Sequence, residues 1–261
     1  MRGTDMDDNE IRAGFRAAWS GEYVPIDELT ADEAASIPDG WADLVGQSGT
    51  TVAAAVSGLW RDLAPGLTRT ADLLERDVMQ MGLARIRTPH HYVQEYRLGA
   101  SASSATTEIA LMYLLRDPRG RKPYIAWFGR TPFTGDLPDW WPSARAVVGD
   151  LATGFHDGFM RYSWDCGLLA IPDMHTVSQR WIEYTDTEAQ LIEVTSGDDD
   201  RPVPREAWPD FRSMHVIAES TSEMGWAVAD DVANGSGWGD GPDTMHPIAN
   251  LAEAIEPMLG R

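Results

Sequence analysis

The sequence contains a single cysteine, a single lysine beside twenty arginines, and no apolar stretch long enough to cross a membrane as a helix. Cys166 has no second cysteine with which to form an internal disulfide, and this agrees with a reducing compartment. The first ten residues are acidic and polar, whereas a secretory signal begins basic and continues apolar. We therefore expect a cytoplasmic protein that does not associate with membranes.

Sequence motifs for common cofactors and nucleophiles are also missing. The chain has no glycine-rich nucleotide-binding fingerprint, no His-Glu-x-x-His or Cys-x-x-Cys pair, and no Gly-x-Ser-x-Gly elbow. The run Asp198-Asp199-Asp200 lacks the alternate spacing of a calcium-binding loop. The single cysteine follows an aspartate, whose negative charge disfavours a reactive thiolate, so Cys166 is predicted to be a packed residue. These absences predict a non-enzymatic protein without a cofactor or a metal.

Acidic residues outnumber basic ones by 41 to 21, which gives a formal net charge of −20. Phosphate backbones are bound mainly by lysine and arginine, so nucleic acid is not an expected partner. The excess is uneven, because residues 1–50 carry 11 acidic and 3 basic side chains and residues 186–261 carry 16 and 4. The residues between them are balanced. Such a charge accelerates association with a basic partner, and it also favours solubility. Both explanations of the acidic excess stay open.

Residues 1–88 read as a helical, loop-rich N-terminal region. Thr30 and Glu33 have the spacing of a capping box, which predicts a short helix that ends before Pro38. A second helix is predicted after Thr70, since residues 74, 78 and 81 are apolar and lie on one helical face. Gly82 suits the residue just past its end.

Residues 89–261 change to a strand-rich pattern. The apolar runs Ile109–Leu115 and Tyr124–Phe128 flank a turn and predict a hairpin. Further strands are expected at His91–Leu98, Trp181–Tyr184, Leu191–Thr195, Met214–Glu219 and Trp226–Ala229.

Two helices and one glycine-rich segment complete the pattern. A helix of about three turns is expected from Ser143, with an apolar stripe at residues 144, 147, 148 and 151, and with Gly154 at its end. A closing amphipathic helix is predicted from about Ile248. Gly235–Gly241 is predicted to be a flexible loop.

The order of these features resembles the SUKH superfamily, in particular bacterial members related to yeast cell-wall-assembly regulators. The resemblance rests on Leu137-Pro138, the helix that follows, and the turn His156-Asp157-Gly158. It implies an α+β fold with a mixed, mostly antiparallel β-sheet backed by helices, here with a helical N-terminal extension. The long region before residue 89 and the aspartate run depart from the family pattern.

The resemblance implies an immunity protein that binds and neutralises a cognate bacterial toxin. The charge predicts that this toxin is basic, and a free monomer is expected. Tryptophan is enriched at interface hot spots, so Trp208 and Trp238, which lie beside proline or glycine, join the acidic loops as candidate contacts. The predicted toxin-binding residues are Asp198, Asp199, Asp200, Trp208, Asp230, Asp231, Trp238, Asp240 and Asp243.

Two other functions remain open. His156 and Asp157 could belong to a metal-dependent hydrolase, although a turn histidine more often bonds the local backbone. Relatives that do not act on toxins suggest a scaffold or regulator in cell-wall or stress signalling.

Overall fold

Local hydrogen bonding and apolar patterning determine where the first helices form. The structure is a computed structural model that describes residues 6–15, 21–87, 107–161, 166–179, 193–196, 201–220, 225–229, 234–240 and 244–260. The Thr30 hydroxyl accepts the Glu33 amide N–H at 3.2 Å, and the Glu33 carboxylate accepts the Thr30 N–H at 2.9 Å. The predicted capping box is therefore confirmed. The helices are α1 (Asp8–Phe15), α2 (Ala31–Ser36), α3 (Asp39–Ala42), α4 (Gly49–Leu63), α5 (Thr68–Asp77), α6 (Trp141–Val148), α7 (Leu151–Gly154) and α8 (Leu251–Leu259).

The described residues form one continuous sheet, ordered β1-β2-β3-β4-β5-β6-β9-β10-β11-β12-β8, with β7 also paired to β9. Among the described residues, every strand pairing is antiparallel except the parallel pair β12 and β8. The α+β class and the mixed, mostly antiparallel sheet are thus confirmed. The strands are β1 (Gly21–Tyr23), β2 (Val78–Arg87), β3 (Thr107–Leu115), β4 (Ile125–Arg130), β5 (Asp157–Arg161), β6 (Gly167–Leu168), β7 (His175–Thr176), β8 (Glu193–Val194), β9 (Met214–Glu219), β10 (Gly225–Ala229), β11 (Gly237–Asp240) and β12 (Thr244–Ile248).

Several predicted strands agree with the structure. The hairpin of β3 and β4 is present, and its turn is held by the Asp117 carboxylate, which accepts three backbone N–H groups. β9 has the predicted limits and β10 begins one residue early. Of the predicted strand Leu191–Thr195, residues 193–194 form β8. The predicted strands at 91–98 and 181–184 lie outside the described residues.

The predicted helix across residues 74–81 is wrong in its second half. α5 ends at Asp77, and Val78 begins β2, which pairs with β3 along nearly its whole length. Met81 and Leu83 face one side of the sheet while Ala84 and Ile86 face the other. The first residues of β2 include the apolar Val78 and Met81, which continue the spacing of Leu74 in α5 by chance, so the helical pattern runs past the end of the helix.

The main apolar cluster lies on one face of the sheet, beneath α3 to α8. It joins side chains of β2 to β6, β9 and β10 with helix residues such as Trp41, Trp60, Leu74, Val147 and Ile255. On the other face, Ile11 and Phe15 of α1 cover β2 to β4. A third cluster, called here the Trp208 cluster, lies on the far strands and contains Leu169, Val177, Val194, Met214, Val216, Ala227 and Met245, with Trp208 and Trp238 packed against it.

Residues on both sides of position 88 contribute to this arrangement. β1 and β2 come from residues 1–88 and form the first part of the sheet. α4 and α5, from the same region, share the main apolar cluster with Phe159 and Ile217. The N-terminal region is therefore built into the same core as the strands that follow it.

The predicted central helix is present but divided. Its apolar stripe is buried as expected, whereas α6 ends at Val148 and α7 begins at Leu151. Between them, the Asp150 N–H donates to the carbonyl of Leu63 at 2.7 Å, which satisfies a group left unpaired at the end of α4. Gly149 adopts a φ of +66°, and a Cβ there would lie 1.9 Å from that carbonyl oxygen. The chain can make this contact only with glycine.

Two predictions near the C-terminus are also corrected. Residues 237–240 of the expected flexible loop form β11, which pairs with both β10 and β12. The last helix begins at Leu251, with the Asn250 side chain as its N-cap, because Pro247 belongs to β12. Within the part of the chain that the structure describes, no helix has both the length and the apolarity to cross a membrane.

Candidate protein-interaction surface

Two of the acidic segments connect to described residues at one end of the sheet. The aspartates 198, 199, 200, 230 and 231 themselves lie outside the described residues. The flanks of the first segment are close together, since the Ser196 N–H donates to the Arg201 carbonyl at 3.0 Å. The second segment joins Ala229, at the end of β10, to Asn234. The described residues therefore give the point at which each acidic segment is attached to the sheet.

The strand register gives the relative positions of these attachment points. β8 runs parallel to β12, so both strands finish toward the same end of the sheet. Gly237 at the start of β11 pairs with Ile248 at the end of β12, so β10 also finishes there. Three strand spacings separate β8 from β10, or about 14 Å. The segments that carry five of the predicted contact residues are thus attached to a common end.

Asp240 belongs to the opposite end of the sheet. The backbone of Asp240 pairs with Met245 and Gly225, at the far end of β11. Asp243 lies outside the described residues, in the connection from β11 to β12. Asp240 and the attachment points of the first two acidic segments therefore lie at different ends of the sheet.

Trp208 is half-buried and is held in position by three contacts. Its indole Nε1–H donates to the Val203 carbonyl at 2.8 Å, and its ring lies 6.0 Å from that of Phe211. The Arg205 guanidinium lies over the ring, 5.7 Å from its centre. The attraction between the guanidinium and the ring favours this orientation of the indole.

Trp238 packs against the same cluster from β11. It pairs with Ala227 and Pro247 and is half-buried. Both candidate tryptophans therefore cover the Trp208 cluster, and each keeps an exposed fraction that a partner could contact.

His156 lies in the main core among aromatic rings. Its Nδ1–H donates to the Gly158 carbonyl at 2.7 Å, so the predicted bond to the local backbone is present. The rings of Trp60 and Tyr113 lie 5.7 and 5.5 Å away, and Nε2 has no hydrogen-bond partner. Burial lowers the pKa of His156 to about 3, so the imidazole is neutral.

Gly158 supports the turn in which this histidine lies. Its φ is +69°, and a Cβ there would meet the Ala170 amide nitrogen at 2.9 Å. The glycine that the sequence places at the chain reversal is therefore required by its backbone conformation.

Asp157 has different neighbours. Its carboxylate oxygens accept the Ile171 N–H at 3.0 and 3.1 Å, and the residue is only 3% exposed. Burial raises the pKa of Asp157 to about 7. A carboxyl group with a pKa near 7 can exchange a proton at neutral pH. Asp157, however, is too deeply buried for a substrate to reach it. Among the described residues, no group of three or more His, Cys, Asp or Glu side chains could hold a metal ion.

An ion-pair network beside Asp157 could not be identified in the sequence. Arg130 contacts Glu108 at 2.6 Å and Asp173 at 3.0 Å, which ties β3 and β4 to the 3-10 helix Ile171–Asp173. The Arg130 charge is shared between the carboxylates of Glu108 and Asp173. Burial raises the pKa of Asp173. These residues are far apart in the chain and carry no common motif. Their arrangement is that of a structural tie.

Cys166 is buried, as the sequence predicted for a packed residue. Comparisons of the chain with protein families, with curated proteins and with solved structures found no match.

Proposed function

We propose that this chain is a non-enzymatic immunity protein that binds and neutralises a cognate basic bacterial toxin in the cytoplasm. The observation that carries the proposal is the concentration of charge, with 16 acidic against 4 basic residues in 186–261. Charge of one sign steers an oppositely charged partner to the surface and repels acidic proteins. The resemblance to the SUKH superfamily gives the proposal its biological context.

The position of the acidic segments favours a contact at the shared end of β8, β10 and β12. Two acidic segments attach there about 14 Å apart by strand spacing, which lies within the width of an ordinary protein interface. The Trp208 cluster is built on the same strands and could support a contact surface. A basic partner would then meet carboxylates from two segments at once.

Neutralising one acidic segment tests the proposal. The triple variant Asp198→Asn, Asp199→Asn and Asp200→Asn should bind the protein encoded by the neighbouring gene with an association rate about tenfold lower at low salt. The difference should shrink as salt is added, because screening weakens the steering. Stopped-flow mixing at two or more salt concentrations would measure both effects.

A matched control separates local charge from total charge. Asp32, Asp39 and Asp43 are exposed and lie in or beside α2 and α3, at the β1 and β2 side of the sheet. Their triple change to asparagine alters the net charge equally and should leave the association rate within about twofold of the wild type, because it removes no charge from the proposed contact. Equal losses in both triple variants, or several weak partners in place of one tight one, would contradict the proposal.

A further inference from the structure

The turn that joins β3 to β4 concentrates positive charge in a strongly acidic chain. It contains one acidic residue, Asp117, and four of the basic residues of the protein, namely Arg116, Arg119, Arg121 and Lys122. These four side chains are called here the basic tip, and all of them are exposed. The sign of the local charge is therefore opposite to that of the whole molecule, whose net charge is −20.

The charges of the basic tip are not used within the fold. Other exposed arginines are paired, since Arg61, Arg69 and Arg145 contact carboxylates at 2.6 to 3.0 Å. Within the part of the chain that the structure describes, no side chain of the basic tip forms an ion pair. The Asp117 carboxylate instead accepts the backbone N–H groups of residues 119, 121 and 122 at 2.8 to 2.9 Å. Four cations are thus left for a partner to contact.

The backbone that carries the basic tip is held in place. At the base of the turn, the Arg116 N–H donates to the carbonyl of Asp77 at 2.8 Å, which ties the turn to the end of α5. Within the turn, the Gly120 N–H donates to the Asp117 carbonyl at 3.0 Å, and Gly120 adopts a φ of +60°. A partner therefore meets a formed turn and has to order only the side chains, which lowers the cost of binding.

The basic tip is well separated from acidic parts of the molecule. In the order of the sheet, β4 lies four strand spacings from β10, or about 19 Å. On the other side, Glu33 of α2 contacts Arg85, whose backbone pairs with Ile109, and about 20 Å of strand separates that position from the end of β3. The Debye length at physiological salt is about 8 Å. Screening therefore prevents these acidic regions from cancelling the field at the basic tip.

The chemistry of the turn narrows the kind of anion that it fits. Three of its backbone N–H groups are taken by Asp117, so they form no amide cradle for a single phosphate. Among the described residues of this turn, no large apolar side chain is exposed. Lipid surfaces are bound with inserted apolar side chains, and single-stranded nucleic acids stack their bases on aromatic rings. The basic tip offers neither, and it is typical of contacts made through charge alone.

The charge of the whole chain separates the two remaining classes of polyanion. Duplex nucleic acid carries a negative charge for every 1.7 Å or so of its length, and a molecule of charge −20 is repelled by it beyond the few phosphates that one turn can contact. An acidic segment of a protein has negative charge over a short length only, so it matches the basic tip without that repulsion. Guanidinium groups also bind carboxylates through paired hydrogen bonds.

We propose that the basic tip is a second interaction surface, which binds an acidic segment of a protein partner through its carboxylates. This surface lies apart from the shared end of β8, β10 and β12 and carries the opposite charge. The inference goes beyond the proposed function and does not depend on it.

A defined acidic peptide tests the basic tip. Acetylated octaglutamate, titrated into the 15N-labelled protein at low salt, should shift the amide resonances of residues 116–124, and the binding should weaken as salt is added. Neutralising the basic tip should raise the Kd of this peptide at least about tenfold, because it removes the charged donors. The variant is Arg116→Gln, Arg119→Gln, Arg121→Gln and Lys122→Gln.

A matched control removes the same number of exposed cations elsewhere. It is the variant Arg69→Gln, Arg145→Gln, Arg201→Gln and Arg212→Gln, which changes the net charge equally. Its Kd for the peptide should stay within about twofold of the wild type, because the basic tip is intact. Circular dichroism would confirm that both variants are folded.

The contrary outcomes are distinct from one another. Equal losses in the two variants, or no shift at residues 116–124, would overturn the inference. It would also be overturned if a short DNA duplex or phosphatidylserine vesicles bound the basic tip more tightly than the peptide does. Peptide binding that depends on the basic tip would support the inference even if the protein encoded by the neighbouring gene does not bind, in which case only the proposed function fails.

Discussion

At the scale of single residues, burial rather than neighbouring charge decides the protonation of two adjacent side chains. Burial lowers the pKa of His156 to about 3 and raises the pKa of Asp157 to about 7. Both shifts favour the neutral form, because the charged form of either group would lose its hydration. The turn that first resembles a catalytic pair is therefore an uncharged part of the core at mildly acidic pH.

Asp157 gives a prediction about stability and pH. Its pKa is higher in the folded protein than its ordinary value of 3.8, so the folded state binds the proton more strongly. The stabilisation from this proton is complete below about pH 4 and is lost as the pH rises through about 7. Asp157→Asn keeps an acceptor for the Ile171 N–H and should remove this dependence, which is on the order of 4 kcal/mol.

Urea denaturation at pH 5 and pH 8 would measure the effect. The wild type should lose stability between these two values, and Asp157→Asn should be more stable than the wild type at pH 8. Asp136→Asn changes an exposed carboxylate and serves as the control, with wild-type pH dependence. A variant that is destabilised equally at both pH values would contradict the assignment.

At the scale of elements, the break between α6 and α7 depends on the end of another helix. The Leu63 carbonyl at the end of α4 is satisfied by Asp150, and this brings the two chain segments into contact at Gly149. The sequence predicts the apolar stripe of the helix correctly. It does not reveal the break, because the group that causes it is more than eighty residues away in the chain.

A pair of glycine substitutions tests this packing. Gly149→Ala should lower the free energy of unfolding by more than about 2 kcal/mol, since its positive φ and the Leu63 carbonyl both exclude a Cβ. Gly58→Ala, in the middle of α4 with no atom within 4 Å of its Cβ position, should raise stability by up to about 1 kcal/mol. Thermal denaturation of both variants measures the contrast. Similar effects of the two substitutions would show that Gly149 is not constrained.

At the scale of the whole molecule, the shared core predicts cooperative unfolding. Leu74 of α5 is fully buried in a cluster that also contains Ile217 and Val228 of the distant strands. Leu74→Ala should therefore lower the free energy of unfolding by about 2–5 kcal/mol and speed global hydrogen exchange at amides in β9 and β10 as well as in α5.

An exposed side chain provides the control for Leu74→Ala. Ile26→Ala removes an exposed side chain and should change exchange nowhere outside its own neighbourhood. Faster exchange confined to residues 1–88 in Leu74→Ala would show that this region is an independently folding unit.

The sequence alone determined the features that depend on neighbours along the chain. The capping box at Thr30, the hairpin of β3 and β4, the limits of β9 and the local bond of His156 follow from spacing and turn chemistry. The charge distribution, on which the proposed function depends, is also a property of the sequence. These features need no knowledge of which distant segments meet.

Only the tertiary structure decided the features that depend on distant contacts. It made Val78–Arg87 a strand between β1 and β3, paired β11 within an expected loop, and assembled the Arg130 network from three elements. It also attached two acidic segments to one end of the sheet and put Asp240 at the other. The physical reason is that burial and pairing are set by the partner segment, whereas periodicity records only a residue's own neighbours.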